Sequence, residues 1–122
     1  MNDKVNQLLE DLQEKMNEGI PVVVEGKNDK KALRQIGLEG TIYTLSSTSM
    51  NGLAEVISRK NKKVIILTDL DDFGEKAAKK LRDFFLNEAV KPNLVFRTRF
   101  RKLLGVTCFE DMPTLLEKEK NI

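Results

Sequence analysis

The stretch Lys63-Val-Ile-Ile-Leu-Thr-Asp69-Leu-Asp71-Asp-Phe-Gly74 decides the fold. Residues 63–68 are a continuous, mostly apolar and β-branched run, the composition of a strand buried on both faces, and the run breaks at an acidic turn. Beyond the turn Ala77, Leu81, Phe84 and Phe85 recur at helical spacing and predict a helix over about 75–88. A strand, an acidic turn and a helix in that order make half of a β-α-β unit.

The same grammar extends in both directions. Upstream, Pro21-Val-Val-Val24 reads as a short buried strand ended by Glu25-Gly26, followed by a polar helix with Asn28 or Asp29 as N-cap and Ala32, Leu33 and Ile36 facing inward. Residues 41–45 form a second strand, then a polar loop over 46–49 and a helix carrying Leu53, Val56 and Ile57. Downstream, Asn93 to Phe96 reads as a fourth strand and Pro113 to Lys120 as a terminal helix. At the start Val5, Leu8, Leu9, Leu12 and Met16 make residues 3–17 an amphipathic helix, stopped by Gly19 and Pro21. Strands alternating with helices predict an α/β fold, a three-layer α/β/α sandwich around a mainly parallel four-stranded sheet. The expected organisation is one domain over residues 1–122, with a core at about 20–110 and the terminal helices packed on it.

Composition narrows the chemistry. The 122 residues are 33% charged, in the size range of one compact unit. The net charge of +2 conceals a gradient: residues 1–18 hold two basic and five acidic side chains, residues 110–122 two and four, and residues 19–109 seventeen basic against ten acidic. The middle is therefore clearly cationic, as expected of a chain that meets phosphate. There is no histidine, so the commonest general base and metal ligand are missing. The single cysteine, Cys108, reads as a small buried hydrophobe. No apolar run is long enough for a bilayer and the acidic start is unlike a signal peptide, so the expected location is cytoplasmic, with no membrane partner.

In a parallel sheet ligands bind beyond the carboxyl ends of the strands. Glu25 ends the first strand, and Asp69 and Asp71 end the third, two apart and able to reach a common ion. Such carboxylates repel one another unless a hard cation or a proton intervenes, and Mg²⁺ or Mn²⁺ is the natural occupant of an all-oxygen site. Gly26 and Gly74 let the backbone turn sharply beside these acids. Asp72 with Glu75 has equally the form of a helix N-cap arrangement.

Cations surround these acids. Lys27 is the lysine best placed to neutralise a phosphate oxygen or a developing charge. In Phe96-Arg-Thr-Arg-Phe-Arg-Lys102, Arg97, Arg99 and Arg101 fall on one face of an extended segment and, with Lys102, form a candidate track for a phosphate backbone. The alternative is a charged edge strand that resists aggregation. Lys76, Lys79, Lys80 and Arg82 read as a solvated helix face.

Val-Val-Glu25-Gly26-Lys-Asn-Asp29-Lys-Lys-Ala-Leu33, followed by Ile-Leu-Thr-Asp69-Leu-Asp71-Asp-Phe-Gly74, resembles the two hallmark motifs of the Toprim domain. That domain is shared by topoisomerases, DnaG-type primases, OLD nucleases, RecR-type recombination proteins and the ribonuclease M5 group. The chain is similar to small stand-alone Toprim proteins and to the amino-terminal part of ribonuclease M5. The resemblance implies that Glu25 is a general acid/base or aids metal binding, and that Asp69 and Asp71 hold Mg²⁺ (or Mn²⁺). It implies a nucleic-acid partner, RNA or DNA, or a larger nucleic-acid-processing protein.

Strand transfer needs a tyrosine nucleophile, and the one tyrosine, Tyr43, falls in a strand. Metal-dependent, nuclease-like phosphodiester hydrolysis is the function that remains. A non-catalytic binding module is the alternative. A receiver-like phosphoacceptor is a third reading, against which stands the absence of a second acid after the first strand.

Overall fold

In a computed structural model, which describes residues 3–105 and 108–120, the chain runs α1 (Asp3–Asn17), β1 (Val22–Val24), α2 (Lys27–Gln35), β2 (Ile42–Thr44), α3 (Met50–Ser58), β3 (Lys63–Ile66), α4 (Asp72–Asn87), β4 (Lys91–Asn93), α5 (Val95–Leu104) and α6 (Met112–Lys120). Short 3-10 turns occupy Leu45–Ser47 and Phe109–Asp111. The four strands form one all-parallel sheet in the order β2-β1-β3-β4. This is the α/β arrangement that the alternating apolar strands predict.

The continuous apolar strands are explained by helices on both faces. Val22 and Val24 point into one core layer with Ile65 and Leu67, against Leu8, Leu12, Leu33 and Phe100 from the helices. Val23, Val64 and Ile66 point the other way, onto Leu53, Ile57, Leu81 and Phe85 of α3 and α4. All of these strand residues are inaccessible to water, so one strand feeds two cores with a period of two. Of the apolar residues carried by α3, Leu53 and Ile57 are buried while Val56 is 45% exposed.

The expected fourth strand over 93–96 lies two residues too late: β4 ends at Asn93 and a helix begins at Val95. The Asn93 side chain accepts a hydrogen bond from Val95 N–H at 2.9 Å, which turns the chain out of the sheet. Phe96, Phe100 and Leu103 then follow one helical stripe into the core, and Gly105 ends the helix in the left-handed region at φ 63°. Phe100 meets Phe109 edge to face with ring centroids 5.3 Å apart, which ties α5 to the turn before α6.

Candidate functional site

The turn between β3 and α4 is held from several directions. Thr68 is buried and its hydroxyl donates to Gly74 O at 2.6 Å. Asp71 is the N-cap of α4, its Oδ1 accepting from Gly74 N–H at 2.7 Å. The cap is therefore Asp71 rather than Asp72, and Asp71 is committed to the helix through one oxygen. Gly74 is required by contact: a Cβ there would stand 1.7 Å from Asp69 O. From α5 Arg97, buried, donates Nε to Thr68 O at 3.1 Å and Nη2 to Asp69 O, and pairs through Nη1 with Glu75.

This turn brings Asp69 to Glu25 across adjacent parallel strands. Glu25 Oε1 accepts from Asp69 N–H at 3.2 Å. Asp69 Oδ1 in turn accepts from Phe109 N–H at 3.2 Å, and Asp29 Oδ2 accepts from Gly26 N–H at 2.9 Å. Asp29, Asp69 and Cys108 offer ligand atoms all within 4.8 Å of one another. Asp71 and Glu110 stand at the exposed rim, and the charge of each acts on Asp69.

The electrostatics are those of crowded acids. Burial, and then the charge of Asp69, raises Glu25 above the ordinary glutamate value. Burial raises Asp29 and Asp69 as well, with added repulsion from Asp69 at Asp29 and from Asp71 at Asp69. Burial likewise pushes the Cys108 thiol up to about 11, so at neutral pH its sulfur stays protonated. Among the described residues no lysine or arginine forms an ion pair with Glu25, Asp29 or Asp69. Partly buried carboxylates without a cationic partner suit a hard divalent ion, and the oxygen donors fit Mg²⁺ or Mn²⁺.

The other residues singled out in the sequence disperse. Lys27 is exposed at the first turn of α2. Gly26 is extended at φ −141° and ψ 176°, and a Cβ there would meet its nearest neighbour at 3.8 Å, so it makes no sharp turn. The arginine row does not form, because residues 96–102 are helical rather than extended. Arg97 is buried under the Asp69 turn, Arg99 pairs with Asp11 of α1 at 2.9 Å, and Arg101 and Lys102 are exposed.

Sequence reasoning missed Asp29 as a member of the cluster. It is not an N-cap but the third residue of a helix capped by Gly26, a spacing at which an acid reaches back to the cap N–H. Cys108 is half-buried beside the acids rather than a core hydrophobe. Phe73, inside the acidic motif, is 81% exposed.

Comparison with known proteins agrees with this geometry. The family model described as the Toprim domain matches residues 21–103. A UPF0292 protein from Methanosarcina barkeri is 34% identical over 99 residues, covering 81% of this chain and 69% of that protein. Another from Methanocaldococcus jannaschii is 34% identical over 96 residues, 78% of this chain and 74% of that one. A solved structure of an Aquifex aeolicus protein superposes with a TM-score of 0.76 at 28% identity, covering 87% of this chain and 95% of that chain. No helix among the described residues is long and apolar enough to cross a membrane. With the all-parallel sheet, the acids at the ends of its first and third strands and a family model that matches most of the sequence, the chain belongs to the Toprim domain family.

Proposed function

We propose that this chain is a metal-dependent phosphodiesterase acting on nucleic acid, with Glu25, Asp69 and Asp71 as the ligands and acid/base groups for Mg²⁺ or Mn²⁺. Asp29 joins them as a supporting carboxylate. The observation that carries the reading is the convergence of Glu25, Asp29 and Asp69, each raised by burial and none in an ion pair among the described residues. When bound, the metal would polarise a phosphate oxygen and lower the pKa of a water.

The remaining work falls to side chains of the protein. Oε1 of Glu25 is fixed by Asp69 N–H, which leaves Oε2 to exchange a proton with the attacking water or the leaving oxygen, and the raised Glu25 value brings that exchange closer to neutral pH. Asp69 is oriented by Phe109 N–H and by the carbonyl grip of Arg97. Lys27, exposed beside Glu25 in sequence, neutralises a phosphate oxygen as charge develops.

The test is divalent-ion-dependent cleavage of structured RNA and of DNA by the wild type, Glu25→Gln and Asp69→Asn. The expected result is a loss of about 10²-fold or more in each variant, the range for a positioned acid/base group. Equal activity in all three would end the mechanism. Metal-dependent binding without cleavage by the wild type would leave a binding module.

A further inference from the structure

We propose that the groove between α4 and α5 is a second phosphate-binding site, which holds the backbone of the nucleic acid whose scissile phosphate lies at the carboxylates. The inference rests on the function proposed above and adds the path of the strand. The groove encloses about 190 Å³, and its walls carry Lys79 and Arg82 from α4 and Thr98 and Arg101 from α5, with Glu75 and Arg97 between them.

Two helices bring these cations to one concavity. Lys79 and Arg82 are three apart on α4, and Arg97 and Arg101 four apart on α5, so each pair shares a face of its helix. Glu75 is the one acid among the lining residues, and it is already paired with the buried Arg97 guanidinium. Arg82 leans on the exposed Asp83 at 3.2 Å. Lys79 and Arg101 have no acid of their own within the groove other than Glu75. Like charges facing one another from separate elements repel, and an anion seated between them relieves that repulsion.

The size of the groove narrows the class of anion. Small-molecule pockets usually enclose about 300–1,000 Å³. This groove is smaller, which suits a single phosphate of a chain rather than a whole small molecule. The floor also favours a substrate shared with the carboxylates. Arg97, which pairs with Glu75 inside the groove, uses its other donors on the Thr68 and Asp69 carbonyls. One side chain therefore separates the groove from the acidic turn, and a polyanion in the groove is led to Asp69.

The experiment measures binding of labelled single-stranded RNA and DNA in Mg²⁺ at several salt concentrations. It compares the wild type, Lys79→Ala/Arg101→Ala, and a charge-matched control, Lys60→Ala/Lys62→Ala, at the opposite end of the sheet. Both pairs are exposed, and circular dichroism and Mn²⁺ binding at the carboxylates should match the wild type in each.

Removing two phosphate contacts should lower the slope of log K against log salt by about 1.4 and weaken binding on the order of 20-fold at 0.1 M salt. The control should move neither. Wild-type binding with no change in the groove variant, or an equal loss in the control, overturns the groove and leaves the proposed function standing. No binding of either nucleic acid by the wild type overturns both. Displacement of the nucleic acid by polyglutamate at lower charge concentration than by an unlabelled oligonucleotide overturns the inference in favour of an acidic protein partner.

Discussion

Arg97 Nη2 donates to the main-chain carbonyl of Asp69, while the same guanidinium donates Nε to Thr68 O and pairs with Glu75. A buried arginine on α5 thus grips the backbone of the residue whose carboxylate faces Glu25. Its planar fork reaches three acceptors from three separate nitrogens, a geometry that the single ammonium nitrogen of a lysine does not reproduce.

Arg97 should therefore act as a positioning residue. Arg97→Lys keeps the charge but not the fork, and is expected to weaken Mn²⁺ affinity about 10-fold to 100-fold, as outer partners of metal ligands commonly do. Arg97→Ala also strands two carbonyls while the 40% exposed Glu75 turns to solvent, and should cost about 1–3 kcal/mol for each buried carbonyl left unpaired, read by urea unfolding. Unchanged Mn²⁺ affinity in a folded Arg97→Lys protein would remove the positioning role.

Gly74 makes the opposite kind of contribution, through what it lacks. An added Cβ would fall 1.7 Å from Asp69 O, a clash with backbone rather than with a movable side chain. The helix would have to back away, breaking the Thr68 hydroxyl bond to Gly74 O and the Asp71 cap. Gly74→Ala should destabilise by more than about 3 kcal/mol and lower metal affinity in parallel. A Gly74→Ala protein as stable as the wild type to urea would contradict the close approach.

Arg99 supplies a counter-test to the expected basic row. It pairs with Asp11 across α1 and α5, both side chains about one-third exposed, and lies near the Phe96 ring. Arg99→Ala should cost no more than about 1 kcal/mol and leave oligonucleotide affinity within about twofold of wild type. A loss as large as that from the α4–α5 groove variant would restore Arg99 as a phosphate contact.

Phe73 is the second residue of α4 and 81% exposed, beside the acidic turn. At the rim of the proposed nucleic-acid site an exposed ring would be a platform for an unpaired base, worth about 1–3 kcal/mol on removal. Phe73→Ala should weaken single-stranded binding by about 5-fold to 150-fold without change in thermal stability, and Phe73→Trp should retain affinity. Equal affinity of the alanine and wild-type proteins for single strands would dismiss the platform.

The parts of the fold read correctly from sequence are those where one signal acts alone. Val22 to Val24 and Val64 to Ile66 have a single physical explanation, burial between two layers, and Glu25 and Asp69 interrupt them abruptly. The Arg97 segment reads as a strand because its charged and apolar side chains alternate, and only Asn93 and Gly105, the start and stop of a helix, tell against it. Cys108 and Glu110 reach the acids only because the Phe109 turn packs on α2, a contact between residues some 80 positions apart that no local pattern announces, whereas the local signal for Asp29 is its place three residues after Gly26.

The acids themselves make a prediction about pH. Glu25, Asp29 and Asp69 bind protons more tightly in the folded protein than in an unfolded chain, because burial and mutual repulsion raise all three. Between the unfolded values near 4 and the raised folded values, the native state therefore holds more protons, and stability falls as pH rises through that window. Glu75 acts oppositely: Arg97 holds it below the usual value, and its contribution is lost as pH falls through that lowered value. The metal-free protein should thus melt at a higher temperature inside that acidic window than near pH 7.5, with a decline again in stronger acid. Mg²⁺ replaces the protons, so its stabilisation should be larger at pH 7.5, about 2.7 kcal/mol at a concentration 100 times its Kd, and smaller inside the acidic window where protons compete. Asp69→Asn removes one repelling charge, and should raise the metal-free melting temperature at pH 7.5 while abolishing most of the Mg²⁺ response. Thermal melts with and without chelator at the two pH values decide it. A Mg²⁺ response independent of pH, or retained in Asp69→Asn, would mean that the ion binds elsewhere.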